Sequence, residues 1–116
     1  MDDASLEKYK NLLLKAKRDI LEKILRANAT YADLDNKEIG DLVDQTYRYY
    51  EKEMLINMSS TDRQILNDIE IALEKIKDKT YGKCEENGCD IDPGRLEAIP
   101  WTRFCIKCAQ KRTKKR

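Results

Sequence analysis

The sequence has no histidine, and among its 116 residues there are only four glycines, two prolines, one tryptophan and one phenylalanine. Without histidine it lacks the side chain that most often acts as a general base. It also has no glycine-rich loop of the kind that cradles phosphates. These absences argue against an enzyme, and we assign no catalytic residue.

Long apolar runs are missing as well. No stretch approaches the roughly 20 apolar residues of a transmembrane helix. The acidic start MDDASLEKYK has no apolar core of a signal peptide. We therefore expect a cytoplasmic protein that does not associate with membranes.

The remaining composition favours helices. Charged residues make up 39% of the chain, and both prolines, Pro93 and Pro100, lie in the C-terminal segment. A proline-free, highly charged stretch with regularly spaced leucine and isoleucine suits long two-sided helices.

An apolar stripe predicts a first helix from Asp3 to about Tyr31, with Asp2, Asp3 and Ser5 suited to its start. Its members recur at steps of three and four, on one helix face: Leu6, Tyr9, Leu13, Ala16, Ile20, Ile24 and Ala27. Residues 32–42 contain helix-weakening Asn36 and Gly40 and predict a turn region with at most one short helical turn.

A second stripe predicts a helix from about Asp41 to Lys79. Its members are Leu55, Met58, Ile65, Ile69, Ile76 and either Ala72 or Leu73. The run SSTDRQ allows a break near Ser59 and Ser60, with Thr61 capping a new helix and Gln64 completing the capping box. A single continuous helix is the preferred prediction.

Two apolar stripes joined by a short link should bury each other. We therefore predict a mainly α fold, a long antiparallel coiled-coil hairpin over residues 1–79, followed by a small second domain over residues 80–116. The charge is polarised: residues 32–53 hold seven acidic and three basic side chains, whereas residues 95–116 hold eight basic and one acidic.

All four cysteines lie in the second domain, as Cys84, Cys89, Cys105 and Cys108. Two close pairs in a reducing compartment indicate metal ligands more than disulfides. Four thiolates complete a tetrahedral zinc site, which is then structural. The segment has few large apolar residues, so a zinc staple compensates for its small core. Four free thiols remain the alternative.

The stretches YGKCEENG and GRLEAIPWTRFCIKC resemble the DksA/TraR family of bacterial transcription factors. The residues that match the family pattern are Tyr81, Gly82, Cys84, Gly88, Arg95, Leu96, Glu97, Ala98, Pro100, Cys105 and Cys108. The family's acidic hairpin tip is matched by the run DLVDQT, from Asp41 to Thr46. The resemblance covers residue 42 onward well, and the first helix by pattern only. It implies a zinc-finger knob at the base of the hairpin and a short C-terminal helix.

The chain departs from the family pattern at several positions. Asn87 stands where the family has its second zinc ligand, and Cys89 follows two residues later. Cys89 completes the site, or three sulfurs hold zinc, or none do; we prefer the first. Thr46 replaces an alanine beside the tip. Family members that respond to the alarmone ppGpp use basic residues, and the matching positions here are Asp68, Ile99 and Ala109, which cannot neutralise phosphates.

The resemblance implies a monomeric regulator that binds RNA polymerase core or holoenzyme and no specific DNA sequence. Its hairpin would enter the secondary channel, where Asp41, Asp44 and Thr46 at the tip would change the stability of promoter complexes. Two alternatives are a basic zinc-finger protein that binds nucleic acid, and a transcript-cleavage factor that uses the tip carboxylates.

Overall fold

A computed structural model describes residues 1–27, 31–48 and 58–114. The helices in these residues are α1 (Asp3–Ala27), α2 (Asn36–Arg48), α3 (Ser60–Lys77), α4 (Pro93–Ala98) and α5 (Ile106–Lys114). The predicted mainly α fold class, with its short C-terminal helix, is confirmed. In the described part of the chain, no helix is both long and apolar enough to span a membrane.

Helix α1 begins as predicted, because the Asp2 carboxylate accepts a hydrogen bond from the Ser5 backbone N–H at 2.9 Å. Its buried stripe differs in the second half from the predicted one. The buried positions are Leu6, Tyr9, Leu13, Lys17, Leu21 and Leu25. Successive steps of four move this stripe around the helix axis, so that Ile20 and Ile24 are only partly buried.

The prediction of a turn region over residues 32–42 is wrong beyond residue 35, since α2 begins at Asn36. The Asp35 carboxylate accepts the Glu38 N–H at 2.8 Å, and the Glu38 carboxylate accepts the Asp35 N–H at 3.2 Å. This reciprocal capping box starts the helix. Burial of Ile39 and Val43, each 1% exposed, then outweighs the weak helix propensity of Asn36 and Gly40.

The preferred prediction of one continuous helix from Asp41 to Lys79 is also wrong. The chain is not helical at Met58 and Ser59, and α3 begins at Ser60. The predicted break is therefore confirmed, but its cap is Ser59: the Ser59 hydroxyl accepts the Asp62 N–H at 3.1 Å. The predicted stripe position Leu55 lies outside the described residues.

One compact unit comprises residues 1–14 and 67–116. The rings of Tyr9 and Tyr81 lie with their centroids 5.3 Å apart, and Ile69 and Leu96 are fully buried. The start of α1 thus belongs with the end of α3 and with the cysteine-containing segment. The boundary predicted at residue 79 stays a prediction.

The other compact unit comprises residues 15–66. Its core includes Leu21, Ile39, Val43 and Leu66. Here Lys23 forms an ion pair with Asp62 at 3.1 Å, so the end of α1 belongs with the start of α3. This is the antiparallel pairing that the two stripes predicted.

The cap of α3 provides a test of the break. Ser59→Ala should lower the free energy of unfolding by about 1 kcal/mol, because the Asp62 N–H loses its acceptor. The adjacent Ser60→Ala is the matched control and should change it by less than about 0.5 kcal/mol. Urea denaturation followed by circular dichroism measures both; equal effects would contradict the assignment of the cap to Ser59.

Candidate metal centre

A tight hairpin over residues 82–91 carries the first cysteine pair. The Cys84 N–H donates to the Cys89 carbonyl at 2.8 Å, and the Ile91 N–H donates to the Gly82 carbonyl at 2.8 Å. Between them, the Gly88 N–H donates to the Cys84 carbonyl at 2.9 Å. Gly88 has φ of +73°, which an L side chain rarely adopts, so glycine permits this turn. The hairpin holds Cys84 and Cys89 side by side.

The second pair lies at the start of α5. Cys105 directly precedes the helix, and the Ala109 N–H donates to its carbonyl at 2.9 Å. Cys108 is in the first turn and is buried. The helix start thus turns both side chains towards the hairpin.

The structure brings three of the four predicted cysteines within metal-binding distance of one another, and the Asn87 amide contacts the fourth, Cys108. The sulfurs of Cys84, Cys89 and Cys105 all lie within 4.8 Å of one another. The side-chain amide nitrogen of Asn87 is 3.7 Å from the Cys105 sulfur and 3.4 Å from the Cys108 sulfur. A tetrahedral site with zinc–sulfur bonds of about 2.3 Å needs sulfurs about 3.8 Å apart. The donor set therefore fits zinc.

The pKa values of these thiols diverge because the sulfurs are crowded. The backbone N–H of Cys108 lowers the pKa of Cys105 to about 6. Burial, with hydrogen bonds to Cys105 and Cys84, raises the pKa of Cys108 to about 12. Burial also raises the pKa of Cys89. Burial opposes ionisation of Cys84, but hydrogen bonds from the N–H groups of Cys105, Asn87 and Glu86 outweigh it and lower its pKa. Clustered thiols that resist joint ionisation are stabilised by a cation.

A network of ion pairs connects both cysteine-containing segments to α3. The Glu85 carboxylate accepts hydrogen bonds from the Arg103 guanidinium at 2.5 and 3.1 Å. It also forms an ion pair with Lys75 at 3.0 Å. Arg103 also lies 3.6 Å from Asp68. Hydrogen bonding to Arg103, with that to Lys75, lowers the pKa of Glu85 to about 2. Glu85 follows Cys84 and Arg103 precedes Cys105 by two residues, so the network fixes both cysteine pairs.

The predicted tip residues lie on α2, in the other unit. Asp41 and Asp44 are both exposed, and the Asp44 carboxylate forms an ion pair with Arg18. The side chain of Thr46 lies outside the described part. Of the positions matched to ppGpp recognition, Asp68 pairs with Arg103, while Ile99 and Ala109 are partly buried.

Two features of the site were missed by sequence reasoning. The pairing of Glu85 with Arg103 and Lys75 left no local signal, because the partners are far apart in sequence. The cysteine pattern shows that Asn87 lies at a ligand position, but it does not reveal the contacts of its amide with two sulfurs.

The geometry is that of a zinc-finger protein, in which the finger packs against the start of α1 and the end of α3. Comparisons with known proteins identify the family. Residues 79–114 match the family model of the prokaryotic dksA/traR C4-type zinc finger. An uncharacterized protein of Aquifex aeolicus is 44% identical over 95% of this chain and 77% of its own. The RNA polymerase-binding transcription factor DksA of Caulobacter vibrioides is 30% identical over 100% of this chain and 80% of its own.

Two solved structures share the fold of this chain. The solution structure of the DnaK suppressor protein of Agrobacterium tumefaciens has a TM-score of 0.67 and 26% identity, covering 90% of this chain and 91% of that one. Transcription factor DksA2 of Pseudomonas aeruginosa shares the fold with a TM-score of 0.63 at 22% identity, covering 99% of this chain and 88% of that one. The chain belongs to the DksA/TraR family, and its cofactor is zinc.

The ion network yields a prediction for stability. Arg103→Gln should lower the free energy of unfolding by about 1–2 kcal/mol at pH 7, because partly exposed pairs contribute up to about 1 kcal/mol each. Since the pKa of Glu85 is lowered from 4.5 to about 2, its contribution is complete above pH 4.5 and is lost as the pH falls towards 2. Thermal unfolding at pH 7 measures the loss. Lys107→Gln, an exposed cation on α5, is the control, and an equal effect there would contradict the network's role.

Zinc removal should unfold the finger. Trp101 is the chain's one tryptophan and lies between the two cysteine pairs, partly buried, so its fluorescence reports on this segment. We expect a strong chelator to shift Trp101 emission to longer wavelength, and zinc, but not magnesium, to reverse the shift. An unchanged emission spectrum in verified zinc-free protein would show that the finger does not depend on the metal.

Proposed function

We propose that this protein binds RNA polymerase and regulates transcription by placing the acidic surface of α2 in the secondary channel of the enzyme. The observation that carries the proposal is the similarity along the whole chain to the Caulobacter relative, whose name states RNA polymerase binding. Partner, cytoplasmic location and monomeric state are parts of the same proposal. No bond is made or broken by the protein in this scheme, so it is not an enzyme.

Negative charge on α2 supports the proposed tip role of Asp41, Asp44 and Thr46. The side chain of Asp44 is 61% exposed although it pairs with Arg18, so its carboxylate is open to a second cation. The secondary channel leads to the catalytic magnesium of the polymerase and is lined with basic groups, which attract such a surface. Contact there would shift the populations of promoter complexes.

The zinc finger and α5 carry positive charge, opposite to that of Asp41 and Asp44 on α2. Lys107 and Lys111 are exposed on α5, and Arg112 lies 4.2 Å from the centroid of the Phe104 ring. The cation–π contact fixes part of this basic surface against the finger. We propose that zinc, held by Cys84, Cys89, Cys105 and Cys108, keeps it in place to contact acidic groups at the rim of the channel.

The role of the tip is tested with Asp44→Asn. We expect binding to core RNA polymerase to change by less than about fivefold, because an exposed ion pair contributes about 1 kcal/mol or less. We expect the effect on promoter-complex lifetime to be lost. Arg18→Gln is the matched control: it breaks the same ion pair but keeps the carboxylate, and regulation should survive it.

Two results would contradict this assignment. If Arg18→Gln abolishes regulation as completely as Asp44→Asn, the carboxylate acts only by pairing with Arg18. If the parent protein binds DNA tightly without polymerase and does not change promoter complexes, it is a nucleic-acid-binding protein instead. Cleavage of RNA in stalled elongation complexes, measured in the same preparation, would favour the transcript-cleavage alternative.

A further inference from the structure

The side chain of Asn87 makes three contacts in the metal centre. Its amide nitrogen faces two sulfurs, at 3.4 Å from Cys108 and 3.7 Å from Cys105. Its amide oxygen accepts the backbone N–H of Cys89 at 3.0 Å. One short side chain therefore contacts both cysteine pairs.

The backbone around Asn87 has the form of a metal-binding turn. The Gly88 N–H donates to the Cys84 carbonyl at 2.9 Å, and Gly88, which follows Asn87, has a positive φ. The second pair shows the same backbone hydrogen bond, since the Ala109 N–H donates to the Cys105 carbonyl at 2.9 Å. Position 87 of the first turn therefore corresponds to position 108 of the second, where the side chain is a thiol.

We infer that Asn87 is a positioning residue of the zinc site and not a zinc ligand. Its amide nitrogen donates hydrogen bonds to the Cys105 and Cys108 sulfurs. Its amide oxygen holds the backbone at Cys89, and Cys89 supplies the fourth sulfur. Four thiolates around one zinc ion carry excess negative charge, and N–H donors beside the sulfurs offset it. The acceptor bond to Cys89 explains how a cysteine two residues beyond the usual place can complete the site.

The orientation of the amide separates this role from direct ligation. A coordinating amide would use its oxygen, which here is engaged by the Cys89 N–H. The nitrogen, which cannot bind a cation, points at the sulfurs. The two roles predict opposite effects of Asn87→Asp, which keeps the shape, replaces the donor nitrogen with oxygen and adds negative charge.

The first test measures zinc affinity of the full chain by competition with a chromophoric chelator. We expect Asn87→Ala to weaken binding by about 10–100-fold, the range for residues that orient metal ligands. Asn87→Asp should weaken it at least as much. Glu86→Ala, the exposed neighbour, is the matched control and should bind zinc like the parent. An Asn87→Ala affinity equal to that of the parent, or an Asn87→Asp affinity equal or higher, would overturn the inference.

The second test exchanges the two positions and reads the number of coordinated sulfurs. With Co²⁺ in place of zinc, the intensity of the sulfur-to-cobalt absorption band follows the number of thiolate ligands. Cys89→Ser should lower the band, and the double change Asn87→Cys with Cys89→Ser should restore the parent intensity. Full intensity in Cys89→Ser, or no recovery in the double variant, would contradict the inference. Circular dichroism confirms that each variant keeps its helices.

Discussion

The convergence of four sulfurs from two separate segments is the constraint on which the rest of the finger depends. Large buried side chains are few there: Tyr81, Ile91 and Leu96 are the main ones among the described residues of the segment. Burial of a few such groups contributes about 2 kcal/mol each and does not repay the ordering of some thirty-five residues. A metal cross-link supplies the difference. The hairpin, the start of α5 and the pairing of Glu85 with Arg103 are then mutually consistent, because each places a cysteine at the same point.

The sequence was sufficient for features that depend on local periodicity. The first half of the α1 stripe, Leu6, Tyr9 and Leu13, follows from residue spacing, and the cap of its first turn follows from Asp2. The prediction before Ile39 is wrong because helix propensity does not include tertiary burial or the capping box of Asp35 and Glu38. The break before α3 was only the alternative to one continuous helix, and that alternative placed the cap at Thr61 instead of Ser59, since both side chains can cap a helix and only one does.

The metal centre shows the same division between local and distant information. Cysteine spacing favoured zinc over free thiols, and zinc is confirmed, because paired sulfur ligands lie in a short stretch of sequence. The role of Asn87 was not predictable, since it depends on sulfurs eighteen and twenty-one residues away. The partner of Asp44 was equally hidden: Arg18 lies on another helix, twenty-six residues distant. Contacts between side chains that are distant in the sequence follow only from the three-dimensional structure.

The acidic surface and the basic surface are held in place by different parts of the fold. Asp41 and Asp44 are positioned by a helix that buries Ile39 and Val43, whereas Lys107 and Lys111 are positioned by the segment that the metal stabilises. The proposed contact through Lys107 and Lys111 therefore depends on an intact zinc site. X-ray absorption at the zinc edge of the loaded protein tests this centre most directly. The account predicts four sulfur neighbours at about 2.3 Å; three sulfurs with one oxygen or nitrogen neighbour would contradict it.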